Sequence, residues 1–263
     1  MQKIAILGGG NLGSAIAQGL YKSQSYTANN IFITRNKVER LAYLKEEGIQ
    51  VGKDNIAAVQ QADIIIIAVK PYKVAEVLTE IRPVLDAKKH ILVSVATGIT
   101  IQEMVNTIGF ELPVFRAMPN TAIEIQESIT CFCSQYATTE QDTAIFDLFS
   151  VLGVSVAIKE ELMEAATVLG ACGIAFVFRF IRAMMQGGIE IGFDAITAGI
   201  IAEQTVKGAA ELLLKGGKHP EEEIDKVTTP KGCTISGLNE MEHRGFSSSL
   251  IKGILNSYQK IEQ

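Results

Sequence analysis

Positive charge is in short supply in this chain: 24 lysines and arginines stand against 29 aspartates and glutamates, for a formal charge of −5. Such a balance offers no basic face to a phosphate backbone, so no nucleic acid partner is expected. Histidine is sparse as well, and His90, His219 and His243 are scattered along the chain. The four cysteines, Cys131, Cys133, Cys172 and Cys233, are too few for a disulfide framework in 263 residues. Cys131 and Cys133 fall on one face of a strand-like run, where packing is their simpler role, and no metal site is expected. Long apolar runs are also missing. The longest charge-free apolar stretch of membrane-like composition, residues 165–178, has 14 residues, against the roughly 20 of a spanning helix. The chain is therefore expected to be soluble, with no membrane contact. Its first residues enter a strand-like run without a basic leader or apolar h-region, from which a cytoplasmic setting is expected.

What the chain does have is core material, 48% hydrophobic residues, which excludes disorder. Up to about residue 160, short β-branched runs alternate with longer amphipathic stretches, the pattern of βαβ units around a parallel sheet. Strands are predicted at 4–7, 31–34, 64–69, 91–95, 114–117, 129–133 and 154–158, and helices at 12–21, 37–47, 72–82, 100–107 and 140–152. The run at 63–69 is apolar without alternation, as a strand covered on both faces requires. After residue 160 the strand signals stop. Helices are predicted at 161–186, 194–215, 220–227, 234–244 and 246–262, broken at Gly187-Gly188, Gly192, Gly216-Gly217 and Pro230. The helix at 194–215 is small and apolar around most of its circumference, so a second subunit should cover it, making a homodimer or higher homo-oligomer. The domains expected are 1–160 and 161–263.

Directly after the first strand comes Gly8-Gly9-Gly10-Asn11-Leu12-Gly13, a G-x-G-x-x-G in the strand-to-helix context that gives the motif its meaning. Gly8 would allow the tight turn, Gly10 the approach of a pyrophosphate, and Gly13 close packing of helix on strand, with Asn11 and Leu12 at the anion-attracting helix start. The fold class is thus α/β, an N-terminal Rossmann-type dinucleotide-binding domain followed by an all-α dimerisation domain. The second strand carries no carboxylate at its end for a ribose 2′-hydroxyl. It runs instead into Arg35-Asn36-Lys37, which suits a 2′-phosphate and favours NADPH over NADH. Ala68-Val69-Lys70-Pro71 ends a central strand, with Lys70 toward the nicotinamide end of the cofactor, and Ala96 follows the next strand. Arg116-Ala-Met118-Pro-Asn120-Thr closes another, so that its polar groups would line the same crevice.

These segments, with Gly170-Ala-Cys-Gly-Ile-Ala-Phe-Val-Phe178, His219-Pro220 and Thr229-Pro-Lys-Gly-Cys-Thr-Ile235, resemble the pyrroline-5-carboxylate reductases over nearly the whole chain. The resemblance implies NAD(P)H-dependent reduction of a cyclic imine to proline, a cofactor contact at Asn55, and substrate contacts at Met118, Asn120 and Lys231 to Thr234. Thr234 would be the catalytic hydroxyl, although threonine is also favoured as a plain helix cap. Ile174, Phe176 and Lys231 depart from the family's usual proline, tyrosine and glycine, and all three lie at the substrate end. A reductase of a related imino acid, or a non-catalytic dinucleotide-binding regulator, stays open on the residues alone.

Overall fold

The computed structural model describes residues 2–261. They form two compact units, one running from the N-terminus through Cys172 with Lys260 and Ile261, the other Gly173–Gln259. In chain order the first holds β1 (Ile4–Leu7), α1 (Asn11–Lys22), β2 (Ile31–Thr34), α2 (Ala42–Glu46), β3 (Gln50–Gly52), α3 (Asn55–Gln61), β4 (Ile64–Ile67) and α4 (Val74–Ile81). There follow β5 (Ile91–Ser94), α5 (Ile101–Ile108), β6 (Val114–Met118), β7 (Ser128–Gln135), α6 (Thr139–Ser150), β8 (Gly153–Ala157) and α7 (Met163–Ala166).

All eight strands join one sheet in the order β3-β2-β1-β4-β5-β6-β7-β8. Pairing is parallel except between β6 and β7. Between those two lies only a short 3-10 turn at Thr121–Ile125, whereas a parallel crossover needs a dozen or more residues, so the chain doubles back. The four isoleucines of β4 are completely buried, as the apolar run requires. Ile64 and Ile66 join Ile16, Leu20 and Phe149 on one face, while Ile65 and Ile67 join Val77, Leu78 and Met104 on the other. Each such side chain contributes about 1.5–3 kcal/mol of transfer free energy.

Several boundaries differ from the sequence expectation. β3 and α3 were not expected: β3 has three residues, none fully buried, and so shows no apolar run, and α3 is seven residues opened by the Asp54 cap. The helix expected at 37–47 begins as a 3-10 turn, and the one expected at 72–82 starts with Pro71 in another. α5 and α6 do open on Thr100 and Thr138, each in a full capping box. The two compact units meet in sequence at Cys172/Gly173, with Met163, Thr167 and Val168 buried within the first.

The second unit holds α8 (Gly173–Glu190), α9 (Ala195–Gly216), α10 (Pro220–Lys226), α11 (Cys233–His243) and all but the last two residues of α12 (Phe246–Ile261). Gly187-Gly188 does not break α8. A Cβ on Gly188 would lie 3.1 Å from the Cβ of Ala198, so this glycine serves close helix packing; the chain turns at Gly192 instead, with φ +114°. A π-helical segment, Thr167–Cys172, leads into α8. The continuous run Glu160–Glu190 is long and apolar enough to cross a membrane by length and composition, which corrects the expectation that no segment reaches that length. The charge-free stretch ends at Phe178 because Arg179 and Arg182 follow, but the helix stays largely apolar beyond them. Ile196, Ile200 and Leu214 on α9 are each more than three-fifths exposed in the single chain.

Candidate active site

The fingerprint residues meet at the carboxyl end of β1. Gly8 adopts φ +115°, and its N–H, like that of Gly9, donates to the carbonyl of Thr34 at the end of β2. At Gly13 an added Cβ would sit 2.1 Å from the Gly8 carbonyl oxygen, whereas at Gly10 it would meet nothing within 4 Å. That open space is where a pyrophosphate can approach the backbone. α1 begins at Asn11 and Leu12 with no side-chain cap and no acidic residue in its first turn, so its N-terminal dipole is left to an anionic ligand.

Around this cradle the remaining cofactor candidates follow the sheet. The guanidinium of Arg35 donates to the Gly9 carbonyl, which holds it beside the loop, and Asn36 is exposed next to it. Asn55 accepts from the Thr34 hydroxyl at 2.7 Å and donates to Glu80 at 2.8 Å, tying the end of β2 to α4. Ala68 and Val69 wall the Gly8 turn, its hypothetical Cβ lying 2.5 Å from the Ala68 oxygen. Lys70 and Pro71 are exposed at the head of the next turn, and Ala96 is buried past β5. The donor set fits a dinucleotide with a 2′-phosphate: backbone N–H groups for the diphosphate, Arg35 for the added charge, and no carboxylate at the end of β2.

The end of β6 corrects one expectation. Arg116 does not offer its polar group to the crevice: it is 2% exposed and its guanidinium is paired with Glu160 at 3.2 Å and Glu164 at 2.7 Å. A buried cation requires such partners, and they were not foreseen. Met118 is buried, and Asn120 caps the following turn, accepting from the Ala122 N–H and donating to the Gly170 carbonyl. Cys131 and Cys133 are free thiols on one face of β7, and burial pushes Cys133 up to about 11. Among the described residues no cluster suits a metal ion.

In the second unit, Lys231, Gly232, Cys233 and Thr234 come together where α11 begins. Gly232 occupies the cap position without a side-chain cap, and the first turn contains no acidic residue. Thr234 is thus the second residue inside the helix and is exposed, so the plain cap role falls away. Lys231 adopts φ +63°, the left-handed region, and is exposed. For a lysine this costs about 1–3 kcal/mol.

A phosphate cradle on α1 beside a cationic β2 end defines a dinucleotide-binding protein, and residues 3–98 match the family model described as "NADP oxidoreductase coenzyme F420-dependent". The class is an NADP-dependent oxidoreductase. Residues 160–263 match the model "Pyrroline-5-carboxylate reductase dimerisation". Pyrroline-5-carboxylate reductase 2 of Dictyostelium discoideum is 45% identical over 98% of this chain and 92% of that protein. Pyrroline-5-carboxylate reductase 1 of the same organism is 44% identical, and there the chain spans 49% of the relative's length. The solved pyrroline carboxylate reductase of Plasmodium falciparum, with NADP bound, superposes with a TM-score of 0.90 at 26% identity, covering 99% of this chain and 97% of that one. The chain belongs to the pyrroline-5-carboxylate reductase family.

Proposed function

We propose that the chain reduces 1-pyrroline-5-carboxylate to L-proline with NADPH, NADH serving less well. The observation that carries this is the bare start of α11 at Gly232 and Cys233, with Thr234 one residue inside, in a chain whose α1 cradle suits NADP. Bound NADPH supplies a hydride from C4 of its nicotinamide ring to the imine carbon. The Gly232 N–H is already given to the Thr229 carbonyl at 2.9 Å, which removes Gly232 from the expected donors; the backbone N–H groups of Cys233 and Thr234 receive the substrate carboxylate, and Lys231 adds a positive charge that offsets its backbone strain. The Thr234 hydroxyl polarises the imine nitrogen and relays a proton to it. A threonine is too weak an acid to be the source, so the proton comes from solvent or from a substrate already protonated on binding. Met118 and Asn120 are the remaining proposed substrate residues. Lys231 at positive φ also favours a second reading, a related imino acid as preferred substrate. Rates with a panel of cyclic and acyclic imines decide between them: 1-pyrroline-5-carboxylate should have the highest kcat/KM, and a better substrate in the panel would move the assignment to it.

Arg35 is the proposed 2′-phosphate ligand, with Asn36 beside it and Asn55, Ala68, Val69, Lys70, Pro71 and Ala96 along the rest of the cofactor. Replacing Arg35 with alanine is expected to raise the KM for NADPH far more than that for NADH; equal effects in steady-state kinetics would remove Arg35 from this role. In this reading residues 1–160 serve the cofactor and 161–263 serve assembly and substrate.

Assembly runs through the C-terminal helices of a cytoplasmic homo-oligomer, with neither nucleic acid nor membrane as a partner. An apolar groove of about 790 Å³ in the second unit, lined by Phe176, Phe180, Val206, Met241, Phe246 and Leu250, together with the exposed isoleucines of α9, is the surface that a second copy covers. This assigns the apolar length of Glu160–Glu190 to protein contact. Light scattering at micromolar concentration should read a mass of at least two chains, and a stable active monomer would contradict it.

A further inference from the structure

We propose that Glu160 is a positioning residue for the nicotinamide half of NADPH, because a single carboxylate oxygen joins the buried Arg116 to the first turn of α5. That oxygen, Oε1, accepts from the Ile101 N–H at 2.8 Å and from the Arg116 guanidinium at 3.2 Å. The first turn of α5 is otherwise closed by its own box: the Thr100 hydroxyl accepts from the Glu103 N–H, and Glu103 accepts from the Thr100 N–H and hydroxyl. These bonds hold the Glu103 carboxyl below the usual carboxylate range. Ile101, the first residue of the helix, lies outside the box, and its N–H goes to Glu160. α5 therefore begins against two carboxylates, the opposite of α1, whose bare start is left for phosphate.

The consequence falls on residues 95–100, which link β5 to α5. In a doubly wound sheet the dinucleotide lies across the carboxyl ends of the strands on both sides of the switch point. Here that point falls between β1 and β4, which puts the adenosine half toward β2 and the nicotinamide half toward β5. The link has Ala96 buried at one end and Gly98 at φ +73° in its middle, so its path is set by where it is anchored. β5 anchors the first end, since the Val95 N–H donates to the Ile67 carbonyl. Glu160 anchors the second. Its own position is fixed by Arg116, whose side chain is 3% exposed and is held independently by Glu164 at 2.7 Å. Glu164 neutralises Arg116 as Glu160 does, but among the described residues its ion pair and hydrogen bond are to Arg116 and none is to α5, and this contrast separates positioning from charge balance.

The proposal rests on NADP occupying this crevice, and the test separates the two. NADPH dissociation constants and kcat are measured for the full-length wild type and three variants. Glu160→Asp keeps the charge facing Arg116 but withdraws the oxygen from Ile101 by one methylene; it should weaken NADPH about fivefold, the loss of one hydrogen bond's contribution, and lower kcat as well. Glu160→Gln keeps the reach and loses the charge, so it should recover most of that affinity. Glu164→Gln should lower thermal stability and leave NADPH affinity within about twofold, because the partner it loses bears on Arg116 alone. Affinity that follows charge instead of reach, with Glu160→Gln weak and Glu160→Asp normal, overturns the proposal, as does equal weakening by Glu164→Gln. A wild-type chain that binds no NADPH overturns the cofactor assignment and this proposal with it.

Discussion

Gly13→Ala is expected to lose NADPH binding and much of the first unit's stability together, whereas Gly10→Ser, three residues earlier, should lose only the binding. At Gly13 the added Cβ would fall 2.1 Å from the Gly8 carbonyl oxygen and 3.1 Å from the Cβ of Ala68. The obstacle is backbone, in a turn already fixed by Gly8 at φ +115°, so α1 must move off β1 to accept it. Overpacking of this kind costs about 1–3 kcal/mol, occasionally more, and it displaces the helix start that binds the diphosphate. Gly10 is different. It has an extended cap conformation with φ −77° and open space around a Cβ, and serine is a better helix cap than glycine by a few tenths of a kcal/mol. Without ligand, Gly10→Ser should melt at or slightly above the wild-type temperature, yet its side chain would occupy the diphosphate's approach and compete for the N–H groups of the first turn. Thermal melts with and without NADPH read both effects. A stable, NADPH-binding Gly13→Ala, or a Gly10→Ser protein that the cofactor stabilises as much as wild type, would mean that the diphosphate does not sit on α1.

Thr234→Val should lower kcat by about five- to 150-fold, the equivalent of about 1–3 kcal/mol, while NADPH affinity stays close to wild type. Valine keeps the shape and removes the hydroxyl. Since Gly232 holds the cap position of α11, the helix does not need that hydroxyl for its start, and the melting temperature should barely change. Unchanged turnover under conditions where chemistry limits the rate would remove Thr234 from the reaction and favour a regulator that binds the dinucleotide without reducing anything.

The parts of the site that were legible in sequence are those whose geometry is local. Gly8 turns at positive φ and Gly13 packs closely, as strand–turn–helix spacing implies, and Gly10 faces open space; the missing carboxylate after β2 can be read from four consecutive residues. What was illegible depends on distant partners. Glu160 and Glu164 lie 44 and 48 residues from Arg116, and only the general need of a buried cation for an acid could have prompted the search. β3 escaped because three half-exposed residues at the sheet edge carry no periodicity, and Gly187-Gly188 read as a break because sequence does not show that α9 packs against Gly188. The left-handed backbone at Lys231 was not legible, because lysine rarely adopts that conformation.

The most direct test of the account follows NADPH loss and proline formation in the same reaction of the purified chain with 1-pyrroline-5-carboxylate. One proline should form for each NADPH consumed, over many turnovers. NADPH that binds but is not oxidised, or is oxidised without proline appearing, would contradict it.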